Sequence, residues 1–398
     1  MNILLLNHYA GTPALGMEYR PYYLAREWVR SGHRVQIVAA DFSHVRARQP
    51  KAGDESIDGI AYHWVHTPPY QGNGVGRLKN ILSFMSQVWA AAAQWASRFK
   101  PDVVIASSTY PMDIWVARRI VQLANQGRPA GTPARCRLVY EVHDLWPLSP
   151  IELSGMSPWH PFALICQSAE DAAYRHSDLV VSMLPKVQQH MAGRGLDLRK
   201  LAIVPNGISP DDWKGRPEPL REDVARAIDA ARAAGRVVVG YAGSMGLPNA
   251  LDHLLDAAQR LRDEPIAIVM VGDGHERARL ARRIEAEGLA LVQLLPPIPK
   301  AQVPAFLAGI DIAFIGWQRV PIYRFGIAPN KLMDYLMARC VVLHSVEAGN
   351  DPVVDTRTFG GYQFTARAIA DSAVNLFVYE TAANEVVYQI KLRNVNIR

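Results

Sequence analysis

The feature that most constrains this chain is the regular alternation of short Val, Ile and Leu runs with segments that carry apolar residues at helical spacing. Such alternation is typical of βα units, which build a parallel sheet covered by helices on both faces. Six strands are predicted in the first half, and the alternation restarts at about Arg236 with five more. The predicted strands are NILLLN, RVQIVAA, IAYHWVH, DVVIAS, RLVYEV and DLVVSM, followed by RVVVGYAG, IAIVMVGDG, LVQLL, DIAFIG and VVLHS.

The length of the chain and this restart predict two domains. At 398 residues the chain is long for one α/β domain and long enough for two separate cores. We place the domains at 1–205 and 206–398, because the Pro-Asn-Gly of LAIVPNGI ends a strand there. The predicted fold class is α/β, with two doubly wound, Rossmann-like domains that face a central cleft. Ligands of such sheets bind at the carboxyl ends of the strands.

Helices and loops are predicted from the segments between these strands. Apolar spacing predicts the helices, whereas polar, Gly-rich or Pro-rich composition predicts surface insertions. The predicted helices include 17–30, 112–124, 249–262 and 329–339, and the predicted surface insertions are 47–59 and 126–135.

Composition excludes several classes of protein. The chain is 49% hydrophobic and 20% charged, as ordinary globular proteins are, and its three cysteines lack disulfide or zinc spacing. We therefore expect a cytoplasmic protein without a metal site. The apolar N-terminus reads as a first strand rather than a signal peptide, and the stretch 81–99 is too interrupted to span a membrane. A net charge of +6 favours diphosphates, nucleic acid or an anionic membrane as partners, and charge alone does not choose among them.

A glycine-containing loop follows the first predicted strand and opens a helix. Gly11 and Gly16 allow the sharp turn that brings helix amides beside an anion, although an ordinary βα turn explains them equally well. Glu18 and Arg20 are predicted in the first turns of that helix, where they either contact an acceptor or only cap and solvate the helix.

The segment VYEVHDLWPLSP is more polar than a strand end in a core requires. Glu141, His143, Asp144 and Trp146 follow one another where a buried strand becomes a loop. Buried charges are costly when unpaired, so these groups are expected to face a cleft. His143 and Asp144 are the candidate catalytic residues.

Phosphate-compatible turns recur in the second half. Gly243 and Gly272 each follow a strand and precede a helix. The strongest signal is FGIAPNKLMDYLMA, in which Lys331 and Asp334 are three residues apart and share a helix face. A lysine there can meet a phosphate and a carboxylate can bind ribose hydroxyls; a surface salt bridge is the alternative.

Taken together, these segments resemble the retaining glycosyltransferases of family four, which have the two-domain B-type fold. The likeness is greatest to bacterial enzymes that transfer N-acetylated amino sugars into O-antigen or capsule. It extends over about residues 1–352. It is carried by NHYAGTP, GMEYRPYYLA, EVHDLWPLSPIELSGM, DLVVSMLP, VPNGI, VGDG and FGIAPNKLMDYLMA followed by EAGND.

The resemblance implies roles for individual residues. His143 matches the histidine beside the donor sugar, and Gly16 matches the glycine loop near the diphosphate. Asp334 matches the second acid of the E-x7-E motif, which binds the donor ribose. The further implied substrate contacts are the diphosphate contacts Lys331, Gly243 and Ser244, the base contacts Pro297 and Ile298, and, in the remaining family motifs, Gly11, Glu18, Arg20, Gly272, Arg324, Gly326 and Asn330.

The sequence also departs from the family pattern. Gly326 stands where the first acid of E-x7-E is expected, with Arg324 nearby. Met245 and either Asn249 or Ala250 replace the usual Arg and Lys after the Gly243 turn. Beyond Pro352 the chain no longer resembles the family's last strand and returning helix.

The implied function is transfer of a sugar, with retention, from a nucleotide diphosphate donor to a glycan or lipid-linked acceptor. No D-x-D occurs, so a metal-bridged diphosphate is not expected. A cofactor is not expected either. The expected donor is a UDP-sugar. The expected acceptor is a polyprenyl-diphosphate-linked glycan, reached by peripheral docking of an amphipathic helix at 81–99 on the inner membrane; nucleic acid is not expected as a partner. The alternatives are a nucleotide-sugar 2-epimerase of the same fold or an inactive binding subunit. A dinucleotide-dependent oxidoreductase is disfavoured because neither half carries G-x-G-x-x-G.

Overall fold

The chain divides into two compact units, Met1–Pro205 and Asn206–Arg398. Each unit carries its own sheet of mostly parallel strands with helices between them. The computed structural model describes residues 1–16, 18–72, 74–127 and 135–350, and the backbone of three further strands in 362–370, 373–380 and 385–393.

The N-terminal unit is a doubly wound α/β domain. Most of its strands are short and rich in Val, Ile, Leu or Ala, a composition that is typical of strands covered by helices on both faces. The strands are β1 Asn2–Leu6, β2 Arg34–Ala40, β3 Gly53–Ile57, β4 Ile60–Val65, β5 Val103–Ala106, β6 Arg137–Val142, β7 Leu179–Ser182 and β8 Leu201–Ile203. The helices are α1 Arg20–Arg30, α2 Val75–Ala90, α3 Ala92–Gln94, α4 Asp113–Gln126, α5 Leu148–Ser154, α6 Pro161–His176 and α7 Gln188–Gly193.

Eight strands form the N-terminal sheet in the order β3-β4-β2-β1-β5-β6-β7-β8. All neighbours are parallel except β3, which runs antiparallel to β4 at the edge. The chain leaves β1 toward β2 on one side and later returns to β5 on the other. The strand order therefore reverses between β1 and β5, which is the place where doubly wound sheets bind ligands.

The C-terminal unit repeats this architecture on a smaller scale. Its five-stranded sheet has the order β11-β10-β9-β12-β13, all parallel, so the strand order reverses between β9 and β12. The strands are β9 Val237–Ala242, β10 Ile266–Val271, β11 Val292–Leu295, β12 Ile312–Gly316 and β13 Val341–Ser345. The helices are α8 Glu222–Ala233, α9 Leu251–Arg260, α10 Arg277–Ala286, α11 Val303–Gly309 and α12 Asn330–Met337.

Three antiparallel strands form a separate sheet near the end of the chain. They are β14 Tyr362–Ala370, β15 Ala373–Glu380 and β16 Glu385–Arg393, paired in that order. The segment after Pro352 that no longer resembles the family lies outside the described residues, apart from the backbone of these strands.

The fold class is confirmed: both units are Rossmann-like α/β domains, and every predicted strand is present. The predicted insertion 47–59 was wrong in part, because it contains β3. Its residues Asp54, Glu55 and Ser56 are exposed and lack apolar alternation, which hid the strand. The signal was the turn at Asp58 and Gly59, which both have positive φ and close the hairpin onto β4. Most of the other predicted insertion, residues 128–134, lies outside the described residues.

Two helix predictions need correction. The first helix begins at Arg20 rather than at residue 17, with Pro21 in its first turn, and Met17 lies outside the described residues. Glu18 therefore precedes the helix. The stretch 81–99 is not one helix: α2 begins earlier and ends at Ala90, and after the short α3 the chain closes with a π-helical turn over Trp95–Phe99. Among the described residues, no helix is both long and apolar enough to cross a bilayer.

Candidate active site

A buried chain of polar side chains lies at the carboxyl ends of β5 and β6. His143 follows β6 and is 8% exposed; its Nε2 lies 2.9 Å from Ser107 Oγ. The Ser107 hydroxyl donates to Glu141 Oε2 at 2.6 Å, so its oxygen is left to accept from the imidazole. Glu141 Oε1 accepts from Arg20 Nε at 3.0 Å. The four side chains form one hydrogen-bonded network beside the strand-order reversal.

Electrostatics in this network favour a charged histidine. Burial alone lowers the pKa of His143, but the hydrogen bond and negative charge of Glu141, with a contribution from Glu18, outweigh it and raise the pKa above its ordinary value. Burial likewise raises the pKa of Glu141, yet His143, Arg20 and Ser107 together lower it to about 2. The network therefore holds Glu141 as a carboxylate and favours the charged form of His143 beside it.

Three residues that the sequence predicted for the site, Glu18, Asp144 and Arg20, lie in different environments near His143. Glu18 Oε1 lies 3.7 Å from His143 Nδ1, so the structure brings this pair together although Glu18 precedes the helix. Asp144, the second candidate catalytic residue, is exposed next to His143. Arg20 points inward: it contacts Glu141 and donates to the carbonyls of Val204 at 2.9 Å and Pro205 at 3.1 Å. We assign Arg20 a positioning role in place of the predicted substrate contact.

The loop from Gly11 to Glu18 closes on itself. The amide of Gly11 donates to the carbonyl of Glu18 at 2.8 Å, and the amide of Gly16 donates to Thr12 at 2.9 Å. These two amides are therefore occupied by the loop itself, and the approach of the amides of the following helix to an anion stays a prediction. Gly16 is required for packing instead, because its φ is +107° and a Cβ there would lie 2.8 Å from the amide nitrogen of Ala47.

An aromatic cluster that was not predicted from the sequence lies beside β1. His8 follows the strand and is fully buried, with Nδ1 2.6 Å from the Tyr110 hydroxyl and Nε2 2.6 Å from Asn80 Oδ1. Burial lowers its pKa to about 3, so the ring is neutral. Tyr9 stacks on His8 and accepts a hydrogen bond from Arg77 Nε at 3.1 Å. The position of His8 at the end of a strand beside the order reversal was the available signal.

In the C-terminal unit, Lys331 packs against the Gly243 turn. Gly243 follows β9 with φ +147°, and a Cβ there would lie 2.6 Å from Lys331 Cε. The Lys331 ammonium lies 2.6 Å from Asn249 Oδ1 and 5.0 Å from the centre of the Tyr241 ring. Burial lowers the pKa of Lys331 to about 8. A poorly solvated cation thus sits at the second strand-order reversal.

Asp334 has a different partner. Both of its carboxylate oxygens lie 2.6 Å from the Lys300 ammonium, and its side chain is 13% exposed. The alternative of a surface salt bridge between Lys331 and Asp334 was therefore wrong, although both residues lie on α12. Lys300 is distant in sequence and was missed, since no spacing rule connects it to Asp334.

The second predicted glycine turn adjoins the first. A Cβ on Gly272 would lie 1.9 Å from the carbonyl oxygen of Gly243, so both turns require the absence of side chains. Ser244 is exposed after Gly243, whereas Met245 is fully buried in the core. Asn249, one of the positions at which the sequence departs from the pattern it resembles, accepts a hydrogen bond from Lys331.

The predicted base contacts follow β11. Pro297 is exposed, and its carbonyl accepts from Arg221 Nη1 at 2.7 Å. Ile298 is half-buried and packs on the core cluster under the sheet. Both residues follow a strand end of the C-terminal sheet, and their contact with the base stays a prediction.

The segment before α12 explains the missing acid. Gly326 is buried with φ +92°, a conformation that disfavours a glutamate. Arg324 is exposed, lies over the Phe325 ring at 4.2 Å and donates to the Pro321 carbonyl. Asn330 is exposed at the first position of α12, where amides and the helix dipole favour an anion.

Substituting Gly243 by alanine tests the packing of this turn. We expect donor affinity to fall by about tenfold and stability by ~1–2 kcal/mol, because the added Cβ displaces Lys331 and the backbone is strained. Calorimetric titration with UDP measures the first and urea unfolding the second. Gly235→Ala is the matched control, since Gly235 has φ +69° and open space around it. Equal UDP affinity in Gly243→Ala and Gly235→Ala contradicts the proposed contact.

Two family models match the chain one after the other. Residues 16–207 match the glycosyl transferase 4-like domain, and residues 228–362 match the glycosyl transferases group 1. The two matches lie almost entirely within the N-terminal and the C-terminal unit respectively. Among the described residues, no group of three or more His, Cys, Asp or Glu side chains is arranged to hold a metal ion.

Similar proteins were found by sequence and by structure. The putative colanic acid biosynthesis glycosyl transferase WcaI of Escherichia coli is 25% identical over 276 residues, which are 67% of this chain and 63% of that protein. The chain thus matches less than two thirds of this curated relative's length. HepE of Anabaena, solved with UDP and glucose, superposes with a TM-score of 0.58 at 17% identity, covering 91% of this chain and 84% of HepE. Sucrose-phosphate synthase of Thermosynechococcus elongatus gives 0.63 at 12% identity, covering 90% and 84%.

Proposed function

Because this chain belongs to the glycosyltransferases with two Rossmann-like domains of the B-type fold, we propose that it transfers a sugar from a nucleoside diphosphate to a glycan acceptor in surface polysaccharide synthesis. The observation that carries the proposal is Lys331, a poorly solvated ammonium packed against the Gly243 turn where the strand order reverses. A diphosphate bound there restores the charge that burial disfavours.

The C-terminal unit supplies the donor site in this proposal. Lys331 and the first turn of α12 stabilise the negative charge that grows on the leaving diphosphate, which is electrostatic preorganisation. Asp334 binds the ribose hydroxyls, and the backbone at Pro297 and Ile298 contacts the base. With these groups, we propose that the diphosphate is stabilised without a metal ion.

The N-terminal unit supplies the charged His143 in this proposal. An imidazolium fixed by Ser107 and Glu141 donates a hydrogen bond and does not act as a base in its resting state. We propose that it contacts the donor sugar, and that Glu18 and the aromatic cluster of His8, Tyr9 and Tyr110 contribute to the acceptor side.

The finer specificity is proposed from the resemblance of the motifs. HepE was solved with UDP, and WcaI is named for colanic acid biosynthesis, which supports a UDP-sugar donor and a polysaccharide product. We propose an N-acetylated amino sugar, transferred with retention to a polyprenyl-diphosphate-linked glycan of the O-antigen or capsule type. The protein then works peripherally at the cytoplasmic face of the inner membrane.

Titration with UDP tests the donor site. Lys331→Ala is expected to weaken UDP binding by about 10- to 100-fold, because a charge-assisted hydrogen bond to phosphate is lost. Asp334→Asn is expected to lower the preference for UDP over its 2′,3′-dideoxy analogue. Lys214→Ala is the control, since Lys214 is 77% exposed in an ion pair with Asp211. If Lys331→Ala bound UDP as tightly as the parent chain, the proposal that the donor diphosphate binds at the Gly243 turn would be wrong.

The pH dependence of UDP binding tests the same lysine separately. The free protein loses the Lys331 charge as pH rises through about 8, so UDP affinity is expected to fall above that pH. Just below that pH it is expected to be level, because Lys331 and the terminal phosphate of UDP, whose second pKa is about 6, are then both charged. In Lys331→Arg this decline is expected to disappear, because a guanidinium stays charged. An identical decline in both proteins would assign it to another group.

A further inference from the structure

One surface of the N-terminal unit is apolar where solvent is expected. From Leu153 to Ala169 the sequence contains no Asp, Glu, Lys or Arg. Trp159 in this stretch is 82% exposed, and Leu153, Leu164 and Ile165 are exposed as well. The buried face of α6 is formed by other residues, so these side chains are not needed for the core. Large apolar side chains that are exposed together in one stretch, rather than scattered singly, are typical of an interaction site.

Helix α2 shows the same property. Its buried side carries Ile81, Phe84 and Val88, as a helix packed on a sheet requires. Its opposite side is also largely apolar and follows helical spacing instead of carrying mainly charged residues. The exposed apolar residues of α2 are Val75, Leu78, Leu82 and Trp89.

Basic residues accompany α2, and acidic residues are missing from its surroundings in sequence. No Asp or Glu occurs between Asp58 and Asp102. The charges in that interval are all positive, and three of the four are exposed while Arg77 is half-buried. They are Arg77, Lys79, Arg98 and Lys100.

Contacts between rings connect the two helices into one surface. The Arg77 guanidinium, in the first turn of α2, lies 5.9 Å from the centre of the Trp146 ring. The Trp146 ring lies 5.8 Å from that of Phe162, the second residue of α6. The start of α2 and the start of α6 therefore adjoin. We call the exposed side chains of Val75, Leu78, Lys79, Leu82, Leu153, Trp159, Leu164 and Ile165 the α2–α6 face.

We propose that the α2–α6 face docks onto an anionic lipid bilayer. Exposed Trp and Leu side chains enter the headgroup region, while the neighbouring lysine and arginine side chains meet lipid phosphates. Charge complementarity decides for an anionic bilayer, because α2 carries only positive charge and no Asp, Glu, Lys or Arg occurs from Leu153 to Ala169, while Glu152, which precedes this stretch, is half-buried. The surface differs from the predicted helix at 81–99, whose Ile81, Phe84 and Val88 lie in the core.

This inference deepens the proposed function, since a lipid-linked acceptor would be presented at that bilayer. It does not depend on donor chemistry, because lipid binding requires no sugar nucleotide. The aromatic cluster around Tyr9 adjoins the face through Arg77, whose guanidinium also lies 5.4 Å from the Tyr9 ring.

Vesicle co-sedimentation of the full chain tests the proposal. The protein is mixed with phosphatidylcholine vesicles that contain or lack phosphatidylglycerol, at low and at physiological ionic strength. We expect binding only with phosphatidylglycerol and weaker binding at higher salt. Trp159→Glu and the double variant Leu164→Glu/Ile165→Glu are each expected to weaken binding by at least about tenfold, because buried apolar area is lost and negative charge is added.

Two controls separate docking from other effects. Leu198→Glu is the matched control, because Leu198 is 45% exposed in the same unit but outside the face. Its lipid binding is expected to equal that of the parent chain. UDP titration of all variants is expected to show unchanged donor affinity, so a failed docking proposal and a failed donor site give different results.

Three results would overturn the proposal. The first is lipid binding that is equal in Trp159→Glu and the parent chain. The second is no binding to phosphatidylglycerol vesicles by a parent chain that still binds UDP. The third is a concentration-dependent dimer in sedimentation velocity that Trp159→Glu abolishes. This result would show that the α2–α6 face binds a second copy of the chain.

Discussion

Replacing His143 with alanine is expected to lower kcat by about a hundredfold to a thousandfold, because the variant loses the fixed hydrogen-bond donor that we propose contacts the reacting sugar. UDP affinity is expected to stay within about threefold, since UDP carries no sugar and the diphosphate contact that we propose, Lys331, belongs to the other unit. His143→Gln, which keeps a donor without the charge, is expected to retain intermediate activity. Initial rates of UDP release from the sugar donor measure both variants.

The pH profile gives a second readout of the same residue. Glu141 raises the pKa of His143 above its ordinary value, so the charged form persists to higher pH than in a free imidazole, and kcat is expected to fall as pH rises through the raised pKa. His253→Ala is the control, because His253 is exposed on α9. Full activity in His143→Ala, or the same pH limb in His143→Ala and the parent, would contradict the role assigned to this ring.

Replacing Arg20 with leucine is expected to destabilise the N-terminal unit by ~3–5 kcal/mol, because the buried Glu141 carboxylate loses a cationic partner. The Arg20 and Glu141 side chains are 7% and 5% exposed, and their closest atoms are 2.9 Å apart. The double variant Arg20→Leu/Glu141→Leu is expected to regain part of the loss, because it removes both charges. Urea unfolding followed by a probe in the N-terminal unit measures the difference.

Arg30→Leu is the matched control on the same helix. Its partner Glu27 is 56% exposed and Arg30 is 48% exposed, so the loss is expected to be within ~0.5 kcal/mol. If Arg20→Leu lowered the free energy of unfolding by no more than Arg30→Leu does, the buried network would not stabilise the unit as we expect.

The sign of the pH dependence follows from the two pKa shifts. Glu141 has a folded-state pKa of about 2 against an ordinary 4.5, so its stabilisation is present above 4.5 and is lost as pH falls toward 2. His143 has a raised folded-state pKa, so its contribution is present below 6.5 and is lost as pH rises through the raised value. Stability of the N-terminal unit is therefore expected to be greatest in mildly acidic solution, as far as this pair decides it.

The sequence predicted most of the fold because the strands signal themselves locally. Leu4, Leu5 and Leu6 are almost wholly buried, and a strand buried on both faces reads as an uninterrupted apolar run. An edge strand lacks such an apolar run. Strand β3 is polar and exposed, and the Asp58-Gly59 turn after it was the only sequence pattern that indicated a hairpin. Helix ends were placed less accurately, as the start of α1 at Arg20 shows.

The site was predictable in position but not in its pairings. His143, Gly243 and Lys331 follow or adjoin strand ends at or beside the order reversals, and the strand pattern alone directs attention there. The partners of these residues come from far along the chain, as Arg20 does for Glu141 and Lys300 does for Asp334. No periodicity connects residues at such separations, so only the folded chain reveals which charges neutralise each other.

The most direct test of the proposed activity is turnover of UDP-, GDP- and dTDP-sugars by the purified chain, with and without a polyprenyl-diphosphate-linked glycan. We expect a UDP-linked N-acetylated sugar to be consumed only when acceptor is present, with release of UDP and an unchanged anomeric configuration in the product. Consumption without acceptor would indicate a 2-epimerase. Failure to bind or consume any nucleotide sugar would contradict the proposed transferase.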